Sequence, residues 1–260
     1  MTVALGLVCS DGVLVASDSM GSNNTVADHS VKVRASNPAP VVWTAAGSVY
    51  VIEEVEAALA SSLGTASGGT PPQIFFDPNE SAIRGRLRPV LNKTMGGAYA
   101  SALHVAPASP GGMTMLPFAS DFLLLGYANG TPWFLEFAQD GQVNSHSERG
   151  FYAVGSGGHF ASVARALMKH YLDREIPLEL GRMLAYRTIA TTVEVSPGGV
   201  GLPVQIAECN SEGPRILTTE EIEAVGAGVD AWKTLERESL RIGLGEVEAA
   251  PAGDLPSLAI

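Results

Sequence analysis

Two apolar runs near the start of the chain, residues 3–8 and 13–16, constrain the fold more than any other stretch. Residues 10–12 between them read Ser-Asp-Gly, and glycine supplies the positive φ that a tight hairpin turn needs. The second run ends at Asp18. The sequence therefore predicts a β-hairpin, with a carboxylate directly after its second, buried strand.

Thr2, which directly precedes the first run, is a candidate nucleophile. Removal of the initiator methionine is favoured when the next residue is small, so Thr2 can become the N-terminal residue. A free α-amino group has a pKa of about 7.7–8.0 and can accept the proton of the hydroxyl on the same residue near neutral pH. A threonine with its own amine as base is an activated nucleophile. From its position alone, Thr2 can equally be an ordinary threonine at the start of a strand.

The composition argues against several classes of protein. Of 260 residues, 46% are hydrophobic and 17% charged, which is typical of a globular chain with a core. A net charge of −11 argues against nucleic-acid binding through a basic patch. We expect no membrane span, because no apolar run reaches about 18 residues, and no signal peptide. The histidines lack metal-ligand spacing. Cys9 and Cys209 lie in apolar runs, so we expect buried, reduced thiols and a cytoplasmic protein.

Periodicity and turn residues predict strands, two helices, strands, two helices, strands and a last helix. We expect a loop at residues 20–29, a short strand at 31–33, and a helix from residue 80 that Pro89 breaks or kinks. This order suits an α+β fold, a four-layer αββα sandwich of two antiparallel sheets with helix pairs outside.

Several short motifs occur together in one order. They are Thr2, Asp18, Val31-Lys32-Val33, Ala45-Ala46-Gly47 and Ala153-Val154-Gly155-Ser156-Gly157-Gly158. This ordered set resembles the proteasome β-subunit family, the N-terminal-nucleophile threonine peptidases. Residues 154–167 look most like the bacterial two-tier peptidases that work with an unfoldase ATPase. The resemblance covers residues 2–222 and implies one N-terminal-nucleophile hydrolase domain at 2–242, with an insertion at about 64–117 and a mobile tail at 243–260.

The resemblance assigns a catalytic role to five residues. Thr2 matches the nucleophile and, with its freed amine, the base. Asp18 matches the carboxylate that holds a lysine, and Lys32 matches the lysine that favours the alkoxide of Thr2. Gly47 matches the donor of an N–H to the oxyanion, and Ser156 matches a hydroxyl near the amine.

The resemblance also implies substrate contacts. The backbone of Ser22 would pair with an extended substrate, and a small pocket for an apolar side chain would be lined by Met20, Ala46 and Val49. Because the loop before Lys32 is slightly short, Arg34 is a competing cation, although arginine does not readily exchange a proton.

The chain departs from the family near residue 194. Glu194 and Pro197 stand where the family has an aspartate and a serine, so Glu194 is expected to support the site in place of the aspartate.

The function that the resemblance implies is a threonine-type endopeptidase. It would cleave peptides or unfolded proteins by acyl transfer to Thr2 inside a homo-oligomeric double ring, without a metal or organic cofactor, and an unfoldase ATPase is a candidate partner. One alternative is an amidohydrolase or transpeptidase that uses Thr2 on a small amide. The other is a structural ring protein whose site has decayed, as Glu194 and Pro197 suggest.

Overall fold

Two five-stranded antiparallel sheets form the centre of the protein. The computed structural model describes residues 2–23, 26–65, 69–105, 120–169, 175–196 and 200–244. The first sheet consists of β1 (Ala4–Cys9), β2 (Gly12–Asp18), β10 (Phe151–Val154), β11 (Val204–Asn210) and β12 (Gly213–Ile216), in the order β10-β1-β2-β11-β12. The second consists of β5 (Val33–Ser36), β6 (Val41–Ala46), β7 (Asp121–Ala128), β8 (Thr131–Phe137) and β9 (Val143–Ser145), in chain order.

The remaining elements are a hairpin and the helices. The strands β3 (Met20–Asn23) and β4 (Val26–His29) pair only with each other in the part of the chain that is described. The helices are α1 (Val49–Ser62), α2 (Glu80–Val105), α3 (Gly158–Lys169), α4 (Leu178–Val195) and α5 (Thr219–Gly243), with a 3-10 turn at Gln73–Phe75. Within the described ranges, none of these helices is long and apolar enough to cross a membrane.

Three buried cores join the layers. One core lies between the two sheets, another between the second sheet and α1 and α2, and the last between the first sheet and the later helices. Side chains alternate along a strand, so Val42 of β6 faces the core between the sheets while its neighbour Trp43 faces the helices. The αββα sandwich predicted from the sequence is confirmed.

The predicted first hairpin lies in the middle of the first sheet. Strands β1 and β2 pair from Ala4↔Ser17 to Cys9↔Gly12, and β10 and β11 flank them. Strand β11 pairs with β2 so that Val204 lies opposite Asp18. This register brings the segment before β11, almost two hundred residues later in the chain, beside the end of the first hairpin.

Three local predictions were wrong. Residues 20–23 and 26–29 are the paired strands β3 and β4 rather than a loop, since Gly and Asn are typical of hairpins as well as loops. The strand predicted at 31–33 begins only at Val33, because the Lys32 N–H donates to the side chain of Gln205 instead of a strand. The turn at Asp140-Gly141 predicts one following strand that ends near Val154, but the structure has two strands there in different sheets, β9 and β10.

Pro89 does not break α2, which is one α-helix from Glu80 to Val105. A proline inside a helix costs about 3 kcal/mol. Burying a Leu, Ile or Met side chain stabilises by about 1.5–3 kcal/mol each, so several buried side chains outweigh that cost. The buried residues of α2 follow helical spacing and are Ile83, Leu87, Leu91, Met95 and Ala98. The described part of the predicted insertion therefore belongs to the outer helical layer with α1.

Helix α5 begins with a capping box. The Thr218 side chain accepts from the Glu221 N–H while the Glu221 carboxylate accepts from the Thr218 N–H. The helix ends at Gly243, and of the predicted mobile tail only residues 243 and 244 lie within the described ranges. The single-domain boundaries remain a prediction.

Candidate active site

Asp18 is the buried centre of the candidate site. It ends β2 and is fully buried. Its Oδ1 accepts from the Val3 N–H at 3.0 Å and from Lys32 Nζ at 2.9 Å, while Oδ2 accepts from the N–H groups of Met20 at 3.1 Å and Gly201 at 3.2 Å. A buried carboxylate is tolerated when its oxygens are bonded in this way. Asp18 therefore ties three separate segments of backbone to one lysine.

Lys32 brings its ammonium group to the hydroxyl of Thr2. Its Nζ lies 3.1 Å from Thr2 Oγ1, 2.9 Å from Asp18 Oδ1 and 2.5 Å from the Met20 carbonyl oxygen, which uses all three of its donors. Burial lowers the pKa of Lys32 below its ordinary value of 10.5, although Asp18 opposes the shift. Lys32 therefore gives up its proton more readily than an exposed lysine.

The glycine-rich turn between β10 and α3 encloses the backbone of Thr2. The Thr2 nitrogen lies 3.3 Å from Ser156 Oγ, and the Thr2 carbonyl accepts from the Gly157 N–H at 3.2 Å. Gly155 has φ +86°, and a Cβ on it would lie 2.3 Å from the Thr2 carbonyl oxygen. Only glycine lets this turn approach Thr2 so closely.

Gly47 lies on the same side of the molecule as Thr2. It follows β6, is exposed, has φ +139° and lines a pocket that Thr2 also lines. The next residue is fixed, because the Ser48 N–H donates to the Oγ of buried Ser120 at 3.0 Å. An exposed glycine amide at the mouth of a cleft is the kind of donor that stabilises an oxyanion.

A pocket of about 330 Å³ opens beside Thr2. Its walls combine apolar side chains with charged ones. The lining residues are Thr2, Gly21, Ser30, Val31, Lys32, Arg34, Trp43, Ala45, Gly47, Val49, Ile52, Glu53 and Glu56. Of the three residues predicted to line the pocket, only Val49 is among the described residues that do so.

The structure places the other two predicted pocket residues elsewhere. Ala46 is buried in the core between the sheets, and because neighbours alternate along a strand, its neighbour Ala45 faces the pocket instead. The Met20 side chain packs against Gly201, where an added Cβ would lie 2.6 Å from Met20 Cε. Neither residue lines this pocket, and their contact with substrate stays a prediction.

Arg34, the competing cation, is engaged away from Thr2. Its guanidinium binds Glu56 through Nε at 2.7 Å and Nη2 at 3.2 Å, and it lies 5.7 Å from the ring centroid of Trp43. A bidentate pair of this kind fixes the orientation of arginine. Lys32 is thus the cation that the structure brings to Thr2.

Two further predicted residues lie outside this group. Ser22 is in β3, opposite Ala27 of β4. Glu194 is exposed, and its carboxylate lies 3.2 Å from Lys233 Nζ of α5. Thr192 on the same helix is buried beside Gly157. Because positions two apart on a helix point about 200° apart, Glu194 faces away from the site. Pro197 lies outside the described residues.

Three polar contacts of the site were missed by sequence reasoning. Gly201 donates to Asp18, Gln205 binds the backbone of Lys32, and Thr44 Oγ1 donates to the Lys32 carbonyl at 2.9 Å. Gly201 and Gln205 are more than 170 positions from their partners, so no local motif connects them. The register of β11 against β2 brings them together.

Two curated sequences align with most of the chain. Over 241 residues it is 25% identical to the proteasome subunit beta of Methanocaldococcus vulcanius, an alignment that covers 92% of this chain and 95% of that protein. It is 26% identical over 235 residues to the proteasome subunit beta of another Methanocaldococcus species, with 88% and 91% covered. The chain is similar in sequence to proteasome β-subunits over most of its length.

Two solved structures of proteins named Anbu have the same fold as this chain. Anbu (ancestral beta-subunit) from Yersinia bercovieri matches with a TM-score of 0.65 at 15% identity, covering 96% of this chain and 99% of that one. An Anbu mutant from a Hyphomicrobium species matches with a TM-score of 0.62 at 15% identity, covering 96% and 100%. No protein-family model matches the chain. The fold is thus shared over nearly the whole length of the chain.

Proposed function

We propose that this chain is a threonine-type endopeptidase that cleaves peptide bonds by acyl transfer to Thr2. The observation that carries the proposal is the 3.1 Å contact between Thr2 Oγ1 and Lys32 Nζ, with Lys32 held by buried Asp18. Removal of Met1 exposes the Thr2 amine. The relation to proteasome β-subunits supports the same reaction class.

Each group then has one task in acyl transfer. Thr2 Oγ1 attacks the substrate carbonyl, and its proton passes to the Thr2 amine, directly or through a water beside Ser156 Oγ. The Lys32 ammonium stabilises the alkoxide, and the Gly47 N–H stabilises the oxyanion. The C–N bond breaks as the leaving amine takes the proton. A water then cleaves the ester and restores Thr2, so the route uses no metal or organic cofactor.

The charges of the pocket support a substrate side chain with an apolar stem and a cationic end. Lys32 is neutralised by Asp18 and Arg34 by Glu56. Glu53 is exposed at the pocket, and no cation among the described residues pairs with its carboxylate. One negative charge therefore remains beside apolar walls, and this arrangement suits a basic side chain as well as the apolar one that the resemblance implies.

We infer that identical chains assemble into a double ring with the sites inside, so that access selects unfolded substrates in the cytoplasm. The names of the proteasome relatives motivate this assembly, and an unfoldase ATPase is the partner that a closed chamber would require. Size-exclusion chromatography with light scattering tests it, since a monomer at micromolar concentration would contradict the ring.

Intact mass and covalent labelling test the reaction itself. We expect the purified chain to lack Met1 and to be labelled once by a threonine-directed electrophile. Thr2→Ala should lose labelling and peptide cleavage, whereas the control Thr131→Ala, at the start of β8, should keep both. A retained Met1 together with no labelling would contradict the peptidase proposal.

Adding amines to the cleavage assay distinguishes a peptidase from the alternative that also uses Thr2, a transpeptidase or amidohydrolase. A transpeptidase or amidohydrolase would give amine adducts, or act on a small amide and not on peptides. Unchanged behaviour of Thr2→Ala in every assay would instead indicate a structural ring protein with a decayed site.

A further inference from the structure

Lys32 lies in a stretch of backbone that belongs to neither sheet. Residues 30–32 connect β4 to β5, and β5 begins only at Val33. Ser30 and Val31 are exposed. A lysine on an untethered loop would not hold its ammonium 3.1 Å from Thr2 Oγ1, because a loop without ladder hydrogen bonds samples many conformations.

Gln205 adds two hydrogen bonds to this loop, beside the one that the Ser30 N–H donates to the Ser19 carbonyl. Its Oε1 accepts from the Lys32 N–H at 2.8 Å, and its Nε2 donates to the Ser30 carbonyl at 2.8 Å. Both bonds are satisfied only in this orientation of the amide, because the loop offers one donor and one acceptor. The side chain of Gln205 therefore acts toward residues 30 and 32 as the peptide group of a neighbouring strand would.

Gln205 is itself placed by the strand that carries Asp18. It lies opposite Ser17 in the pairing of β11 with β2, one position from the pair of Val204 with Asp18. One pair of strands, β2 and β11, thus positions both the backbone of Lys32 and the Asp18 carboxylate that binds the Lys32 ammonium.

Thr44 holds the other side of Lys32. It is fully buried on β6 of the second sheet, and its Oγ1 donates to the Lys32 carbonyl at 2.9 Å. The peptide groups before and after Lys32 are therefore bound by side chains from opposite sheets of the sandwich.

We propose that Gln205 and Thr44 are positioning residues that hold Lys32 against Thr2. They touch neither the substrate nor the reacting atoms and act only through the Lys32 backbone. The inference rests on the proposed function, since it gives Lys32 its task at Thr2. An error in position of 1 Å at a catalytic group costs up to about 100-fold in rate.

Kinetics of Gln205→Leu give the first test. We expect kcat for peptide cleavage to fall roughly 10- to 100-fold, with KM within about twofold, because the pocket is untouched. Thr44→Val should lower kcat likewise, while Thr44→Ser, which keeps the hydroxyl, should restore it. Gln142→Leu, in the exposed turn before β9, is the matched control and should behave as the native chain. Native kcat in Gln205→Leu, in an enzyme that Thr2→Ala inactivates, would overturn the positioning role alone.

A titration of Lys32 gives a readout that needs no activity. The chain has four lysines, so ¹⁵Nζ-lysine spectra are simple, and Lys32→Arg assigns the signal. We expect the pKa of Lys32 to rise toward its ordinary 10.5 in Gln205→Leu, because the released loop exposes the ammonium to water. An unchanged titration would overturn the proposal even if the protein proved not to be a peptidase.

Discussion

Asp18 and Lys32 form an ion pair of 2.9 Å whose carboxylate is fully buried and whose lysine side chain is nearly so. The carboxylate also accepts three backbone N–H groups, from Val3, Met20 and Gly201. The pair therefore joins the start of β1, the end of β2 and the segment before β11. Stability and catalytic geometry should depend on the same two side chains.

Replacing Asp18 with Asn tests that dependence. The amide cannot neutralise Lys32, and its NH₂ group faces an N–H donor in either orientation. Breaking a buried pair in this way costs about 3–5 kcal/mol, so urea denaturation should show a loss of that order together with loss of threonine labelling.

The control is Asp11→Asn in the first turn. Asp11 Oδ1 accepts from the Leu178 N–H at 2.7 Å, a bond that an amide oxygen also makes. The free energy of unfolding of Asp11→Asn should stay within about 1 kcal/mol of that of the native chain. Equal stability of the Asp18 variant and the native chain would contradict the structural role of the pair.

Gly155→Ala should displace Thr2. A Cβ at this position would lie 2.3 Å from the Thr2 carbonyl oxygen, and backbone cannot move aside cheaply. Gly130→Ala is the matched control, because Gly130 also has a positive φ, of +74°, but nothing within 4 Å of an added Cβ. Both variants bear about 1–2 kcal/mol of backbone strain.

Only the Gly155 variant should lose labelling of Thr2, measured by intact mass. The comparison is made under conditions in which both variants are folded to the same extent. If both variants label at the native rate, the close approach of the turn to Thr2 is not required for the reaction.

The sequence indicates the site more completely than it indicates the pocket. Thr2, Asp18, Lys32 and Ser156 form an ordered set in the sequence, and the structure brings all four together. The pocket depends on strand register, since a shift of one position along β6 exchanges Ala45 for Ala46. No periodicity in a run of small buried residues reveals which of them faces outward.

The contacts that residues late in the chain make with the site could not be predicted from the sequence, for a different reason. Gln205 reaches Ser30 and Lys32 through the pairing of β11 with β2, a contact between residues that no local pattern relates. Glu194 was predicted by analogy of position, but the turn of α4 points it to Lys233. Sequence therefore indicated residue types and order, while register and helix phase decided the partners.

Glu53→Gln tests the charge of the pocket. Peptides with arginine or lysine before the cleaved bond should be preferred by the native enzyme, and the variant should lose about 1 kcal/mol of that preference, roughly fivefold in kcat/KM. Peptides with leucine there should be cleaved equally by both. Glu54→Gln, the next residue of α1, which lines a different surface hollow, is the control. A native preference for leucine over arginine would contradict the cationic substrate without affecting Thr2.

The pH dependence of labelling tests the state of Lys32. Labelling should rise as the Thr2 amine loses its proton, near pH 8 for a free α-amino group. It should fall again when Lys32 becomes neutral, because the ammonium no longer stabilises the alkoxide. Burial lowers the pKa of Lys32, so this alkaline limb should lie below 10.5. Arginine keeps its proton over this whole pH range. The residual labelling of Lys32→Arg should therefore show no decrease at alkaline pH. An alkaline limb that persists in Lys32→Arg would assign it to another group.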